Sequence, residues 1–291
     1  MAIIGGRKIV DKIKNSKKEF IKYIMQFDLN DENITKKIFH TFRVMEISKK
    51  IAKSLNLNKE QIEIAEYIGL FHDISRFEQF TKYHTYNDLK SIDHGDFALE
   101  ILEKYRFLDK FSKNTKIQEI IKLSIKNHNK YKIGEEFTQE EKMFLNIIRD
   151  ADKLDIMSEC INIFFKKESD VKCIEEGKIS NEVLEQIYKR ESILRKRELN
   201  KIDKLLVYIA FVFDFNYLYT FEYLKKRDFI NKILNRFNYK DLRTIDKVEI
   251  IKKIIDDYID ERSVILRAES GMREKNSEDF IQTLVEYNIG S

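Results

Sequence analysis

The sequence predicts an all-α protein, because turn residues are scarce and apolar residues recur at helical spacing. The 291 residues include 8 Gly and no Pro, whereas an average chain of this length has roughly 20 Gly and 15 Pro. A β-sandwich or barrel needs a turn signal every ~8–12 residues, and doubly wound α/β folds depend on Gly-rich loops. Helical periodicity runs through nearly the whole chain. Both observations favour helices over strands.

The first two helices are marked by capping residues. Asn33 or Thr35 is the expected N-cap of a helix over residues 35–55, because both side chains can accept a hydrogen bond from the first turn. A second helix starts near Asn58 and covers residues 60–74, which are apolar on two sides.

The helical spacing fails between Ser75 and Asp93, where aromatic and polar residues mix. This stretch is predicted to be a long loop, and long ordered loops are often functional. Asp93 is the expected N-cap of a helix over residues 94–105. The later helices are expected over residues 115–128, 138–165 and, as a series with short polar breaks, 181–258.

No repeat, linker or low-complexity segment marks a domain boundary. We expect a single compact unit that consists of a core, residues 1–165, and a C-terminal helical extension, residues 166–291, packed on the core. Within the polar C-terminal stretch, residues 280–287 could form a docking helix.

Charge and cysteine content restrict the setting of the protein. With 54 Lys+Arg against 50 Asp+Glu the net charge is +4, which neither requires nor excludes a nucleic-acid partner. The apolar runs are shorter than the ~20 residues of a membrane span, and the N-terminal segment lacks a signal-peptide pattern. Two Cys are too few for a disulfide framework. We therefore expect a cytoplasmic protein without a membrane partner.

All five histidines lie in the first half of the chain, and four share helical register with apolar residues. These four are His40, His72, His94 and His128, and Asp152 repeats the pattern on a further helix. Any one of them alone is most simply a buried residue with a hydrogen-bond partner. Unpaired buried carboxylates are costly, however, and imidazole with carboxylate favours a divalent cation. The set predicts a metal site, whereas His84 is expected at the surface.

The same residues resemble the HD-domain superfamily of metal-dependent phosphohydrolases. The family pattern is a His, an adjacent His-Asp pair and a later Asp, on an all-α core. The chain has His40 in HTFRV, His72 and Asp73 in GLFHDISRF, and Asp152 in RDADKLD. The resemblance spans about residues 35–160 and implies an HD-domain helical core.

The resemblance also implies the metal ligands. His40, His72, Asp73 and Asp152 would bind one divalent ion. Members with a second ion add two His between the pair and the last Asp, and His94 and His128 occupy those places. Asp73 would then bridge two ions about 3.5–4 Å apart. Mn or Fe is favoured, with Mg, Co, Ni or Zn as alternatives.

Several charged residues flank these ligands. Lys153 follows Asp152 directly, Arg43 lies three residues after His40, and Arg76 follows the His-Asp pair. All three are candidates for binding substrate phosphate, with a solvated surface charge as the alternative for each. Asp73, Lys153 and Arg43 form the expected catalytic set. Asp150 and Asp155 are expected in capping or surface roles, with the orientation of a ligand His as the alternative.

The expected activity is hydrolysis of a phosphate ester or anhydride of a small nucleotide-like substrate by a metal-activated water. A nuclease that acts on single-stranded nucleic acid is an alternative, although the near balance of charges gives it no support. A catalytically idle HD fold that senses a ligand or binds a partner is another, and the intact ligand set argues against it. The sequence is compatible with either a single chain or an oligomer.

Overall fold

The computed structural model describes residues 12–194 and 199–274, which form helices joined by turns and loops, with no strand among them. The chain divides into two compact units, one that ends at Asp155 and one that begins at Ile156. The all-α class is therefore confirmed. The packing of a C-terminal extension on the core stays a prediction.

The first unit contains the helices that carry the candidate ligands. They are α1 (Lys12–Ile24), α2 (Glu32–Ser54), α3 (Lys59–Phe71), α4 (Ser75–Tyr83), α5 (His94–Lys104), α6 (Phe107–Phe111), α7 (Thr115–Asn127) and α8 (Gln139–Asn162), and α8 continues into the second unit.

Helix starts agree with the sequence where the cap is unambiguous. Asn58 caps α3 through a reciprocal pair of hydrogen bonds with Gln61, and Asp93 caps α5 by accepting from the Gly95 and Asp96 amides. The expected cap of α2 was wrong: Asp31, not Asn33 or Thr35, accepts from the first turn, at 2.7 Å.

The long loop predicted after residue 75 is wrong for its first half, which is helix α4. Its buried face consists of Ser75, Phe77 and Gln79. Because two of these residues are polar, a search for apolar spacing does not detect that face. Residues 84–93 lie outside α-helices and include one short 3-10 turn, Asp88–Lys90.

Two glycines allow the close helix crossings on which the site depends. A Cβ at Gly69 of α3 would lie 2.8 Å from the Met45 Cα of α2, and a Cβ at Gly95 of α5 would lie 2.5 Å from the Lys126 carbonyl of α7. Real Cβ atoms do not approach so closely. Each crossing therefore requires glycine, and each brings two helices that carry candidate ligands together.

The core beneath the site is aromatic. Phe20 of α1 meets Phe71 and Phe77 edge-on, with ring centroids 6.0 and 5.9 Å apart, and all three rings are fully buried. Such edge-to-face contacts add to the free energy of apolar burial. They fix α3 and α4 on both sides of the His72–Asp73 junction.

The second unit is a further series of helices, as the sequence predicted. They are α9 (Glu168–Glu175), α10 (Asn181–Tyr188), α11 (Lys201–Ile209), α12 (Leu218–Arg227), α13 (Phe229–Leu234) and α14 (Leu242–Glu274). Residues 280–287, the expected docking helix, lie outside the described residues. In the part of the chain that the structure describes, no helix has both the length and the apolar character for a membrane span.

Candidate metal centre

Four of the predicted ligands form a compact group, which we call group one. His40 comes from α2, His72 and Asp73 from the junction of α3 and α4, and Asp152 from α8. One nitrogen or oxygen atom of each lies within 4.8 Å of the others. Asp73 Oδ2 is 3.5 Å from His40 Nε2 and 3.3 Å from His72 Nε2.

The other two predicted ligands form group two with the same aspartate. His94, the first residue of α5, and His128, which follows α7, have their Nε2 atoms 3.1 Å apart. Asp73 Oδ1 lies 3.4 Å from His94 Nε2 and 3.7 Å from His128 Nε2. The two oxygens of Asp73 therefore face different groups, an arrangement in which one carboxylate can bridge two ions through one oxygen each.

The hydrogen-bond partners of the four Nδ1 atoms select which tautomer each imidazole adopts when it is neutral. His72 Nδ1 lies 2.8 Å from the Gly69 carbonyl, and His128 Nδ1 lies 2.7 Å from the Ile125 carbonyl. Carboxylates are the hydrogen-bond partners of the other two rings: Asp155 lies 2.7 Å from His40 Nδ1, and Asp88 lies 2.6 Å from His94 Nδ1. These acceptors require a proton on Nδ1 of a neutral ring, which leaves the Nε2 lone pair available to a metal.

Unsatisfied polar atoms show that a cation fits the site. His40 Nε2, His72 Nε2 and Asp73 Oδ1 are buried without a well-formed hydrogen bond, and such atoms are costly in a protein interior. Neutral imidazole and carboxylate are the donors that borderline divalent ions accept. The clusters therefore indicate a divalent-metal site.

The two groups differ in charge. Burial acts to lower the pKa of His40, but the carboxylates of Asp152 and Asp155 outweigh burial and raise this pKa to about 10. Burial, followed by repulsion from Arg76, lowers the pKa of His94 to about 4. Burial acts to raise the pKa of Asp73, but nearby cations, Lys37 first, hold it well below its usual range. Group one therefore attracts protons strongly, whereas His94 does not.

The three predicted phosphate-binding residues lie in different surroundings. Arg43 donates two hydrogen bonds to Asp155, at 2.6 and 2.9 Å. Arg76 donates to Gln79, to the Tyr86 carbonyl and to Asp88, each at 2.7 Å. Lys153 is half-buried on α8, beside Asp152. Arg43 and Arg76 are thus held by protein acceptors.

Sequence reasoning underrated Asp155 and missed two other residues. Asp155 is buried and bonded to His40, so the expected capping or surface role is wrong. Asp88 was missed because nothing in the local pattern links it to His94. Lys37, whose ammonium lies 2.8 Å from Asp73 Oδ2, precedes His40 by three residues, so helical spacing could have revealed it. His84 is exposed, as expected.

The comparison with protein families accounts for this arrangement. Residues 38–157 match the sequence model of the HD domain. This part of the chain is an HD domain. All six candidate ligands lie inside the matched residues, and the HD superfamily comprises metal-dependent phosphohydrolases. No curated protein and no solved structure gave a match.

Proposed function

We propose that the HD domain is a metal-dependent phosphohydrolase that uses two divalent ions to hydrolyse a phosphate ester or anhydride of a small nucleotide-like substrate. The observation that carries the proposal is the division of Asp73 between two groups of ligands. Group one offers four ligand residues and group two offers three, and one ion would need only the first set. Mn or Fe is favoured, with Mg, Co, Ni or Zn as alternatives.

In the proposed reaction the residues of the chain bind the two ions and fix the orientation of the ligand side chains. A pair of divalent ions supplies Lewis acidity to a phosphoryl oxygen and lowers the pKa of a water towards neutrality. Asp73 and Asp152 contribute the negative charge that two cations require. The Nδ1 bonds of the four His fix ring orientation, and Arg43 in turn fixes Asp155. No side-chain nucleophile is required in this arrangement.

Substrate binding is proposed to depend first on Lys153. Because Lys153 directly follows Asp152 on α8, we propose that its ammonium lies near group one without being a ligand. Arg43 and Arg76 are already bonded to protein carboxylates, so we propose that they orient the site and contribute positive charge to the substrate phosphate. The cytoplasmic location remains a prediction.

The test is a phosphate-release screen of mono-, di-, cyclic and dinucleotides with the Mn-loaded protein. We expect hydrolysis of at least one class, and we expect Asp73→Ala to abolish it and to lower the metal content. Retained activity in Asp73→Ala would exclude the mechanism. Cleavage of single-stranded nucleic acid alone would favour a nuclease, and the absence of hydrolysis with ligand binding retained would favour an idle sensor.

A further inference from the structure

Two cations lie beside the shared carboxylate, and Lys37 is the closer one, since Arg76 Nε is 3.5 Å from Asp73 Oδ1. Lys37 lies one turn before His40 on α2, and its Nζ is 2.8 Å from Asp73 Oδ2. The side chain of Lys37 is 19% exposed, whereas that of Asp73 is 4% exposed. Asp73 Oδ2 is also the oxygen that faces His40 and His72. The ammonium therefore meets the atom at which a divalent ion in group one would bind.

Lys37 is held by fewer hydrogen bonds than Arg43 and Arg76, two other cations beside the ligands. Among the described residues its hydrogen bond goes to Asp73, and its ammonium also lies 5.6 Å above the centre of the Tyr86 ring. Arg76, by contrast, has three protein acceptors at 2.7 Å, and Arg43 has two hydrogen bonds to one carboxylate. Lys37 can thus leave its partner at a smaller loss of hydrogen bonds than Arg43 or Arg76.

We propose that Lys37 is a displaceable cation that competes with a divalent ion for Asp73 Oδ2 and, once displaced, binds the phosphate of the substrate. Only the second part of this inference, the binding of substrate phosphate, rests on the proposed function. An ammonium and a divalent ion repel each other at one carboxylate oxygen, so loading of group one moves Lys37 away. A lysine has a flexible four-carbon stem and acts as a point charge towards phosphate. Its position on α2 keeps it beside the site after displacement.

The first half is tested by titrating metal-free protein with Mn²⁺ in a calorimeter. Lys37→Met removes the competitor, and we expect it to bind Mn²⁺ roughly tenfold more tightly than wild type, as expected for the loss of one charge-assisted hydrogen bond. Lys37→Arg retains a cation and should stay close to wild type. The matched control is Lys36→Met, because Lys36 is exposed and pairs with Glu32.

The second half is tested with inorganic phosphate and the Mn-loaded proteins. Lys37→Met should bind phosphate roughly tenfold more weakly than wild type, whereas Lys36→Met should be unchanged. One substitution should therefore strengthen the binding of a cation and weaken that of an anion. A general loss of structure would weaken both, and the Arg variant guards against misfolding of the Met variant.

Two results would overturn the inference. Unchanged or weaker Mn²⁺ binding by Lys37→Met would mean that Lys37 does not compete with metal. Unchanged phosphate binding would mean that it does not reach the substrate. Neither measurement requires turnover, so a failure to find any hydrolysed substrate would count against the proposed function and not against the competition.

Discussion

The two ligand groups that meet at Asp73 differ in both construction and charge. Group one draws on α2, the α3–α4 junction and α8, and contains two carboxylates and two imidazoles. Group two draws its own ligands from the crossing of α5 and α7, and Asp73 is its one carboxylate. The pKa of His40 is raised to about 10, whereas that of His94 is lowered to about 4. Group one is therefore complete and charge-rich, and group two depends on it.

The largest expected effect separates the groups by metal content. His128→Ala leaves the four residues of group one intact, so we expect about one ion per chain in place of two. His72→Ala removes a ligand from group one and leaves it with three. Because group two depends on group one, we expect this variant to retain less than one ion per chain. Elemental analysis of protein purified without chelator measures both, with His84→Ala as the exposed control. Equal metal content in the two variants would show that the groups are equivalent.

The second expected effect concerns substrate phosphate. Lys153→Ala should leave metal content unchanged, because Lys153 is proposed to contact phosphate without acting as a ligand. Loss of a charge-assisted hydrogen bond of about 1.5–3 kcal/mol corresponds to a decrease in kcat/KM of roughly 10- to 150-fold. Lys113→Ala, at an exposed position, is the control. If the two variants have the same kinetics, the phosphate site is formed by other residues.

A smaller effect is expected from the carboxylates that orient the imidazoles. Asp155 serves His40 of group one, and Asp88 serves His94 of group two. Each Asp→Asn variant should weaken metal binding at its own group by about 10- to 100-fold. Stepwise calorimetric titration with Mn²⁺ distinguishes the first ion from the second. A loss at the first ion in Asp88→Asn, with the second unchanged, would reverse the assignment of the groups.

The sequence predicted those features of the site that depend on residues close together in the chain. The His-Asp pair, the capping residues Asn58 and Asp93 and the helical register of the candidate ligands could all be recognised. The role of Asp155, which sequence reasoning underrated, depends on a contact between distant segments. Asp155 meets a ring 115 positions away, and nothing local distinguishes it from the neighbouring Asp150.

Helix α4 illustrates the other limit of the sequence. Its buried face includes Gln79, which bridges to Asp88, Ser91 and the Ile92 carbonyl across the turn that holds Arg76. A buried polar residue with this many partners is stable in the interior, yet in a hydrophobicity pattern it reads as exposed. A hydrophobicity pattern therefore does not reveal that Gln79 connects α4 to the segment that leads into group two.

The smallest expected effect is a difference in proton release between the two ions. A metal binds the neutral imidazole, so any proton that the ring holds beforehand must leave. At pH 7 the ring of His40 is protonated, because its pKa is raised to about 10, and its displacement should release about one proton. His94, with a pKa lowered to about 4, is already neutral and should release none.

The sign of the pH dependence follows from the same two values. Affinity for the first ion should rise with pH up to about 10, whereas the contribution of His94 to the second should be flat above about pH 5. Calorimetry at pH 7 in two buffers with different ionisation enthalpies counts the protons, and His128→Ala isolates the first ion. Equal proton release for both ions would remove the charge difference between the groups and leave only their difference in ligand number. A difference of the predicted sign would mean that group one loses its metal ion first as the pH falls. Because both groups use Asp73, the loss of Asp73 Oδ2 as a ligand would then weaken metal binding at group two.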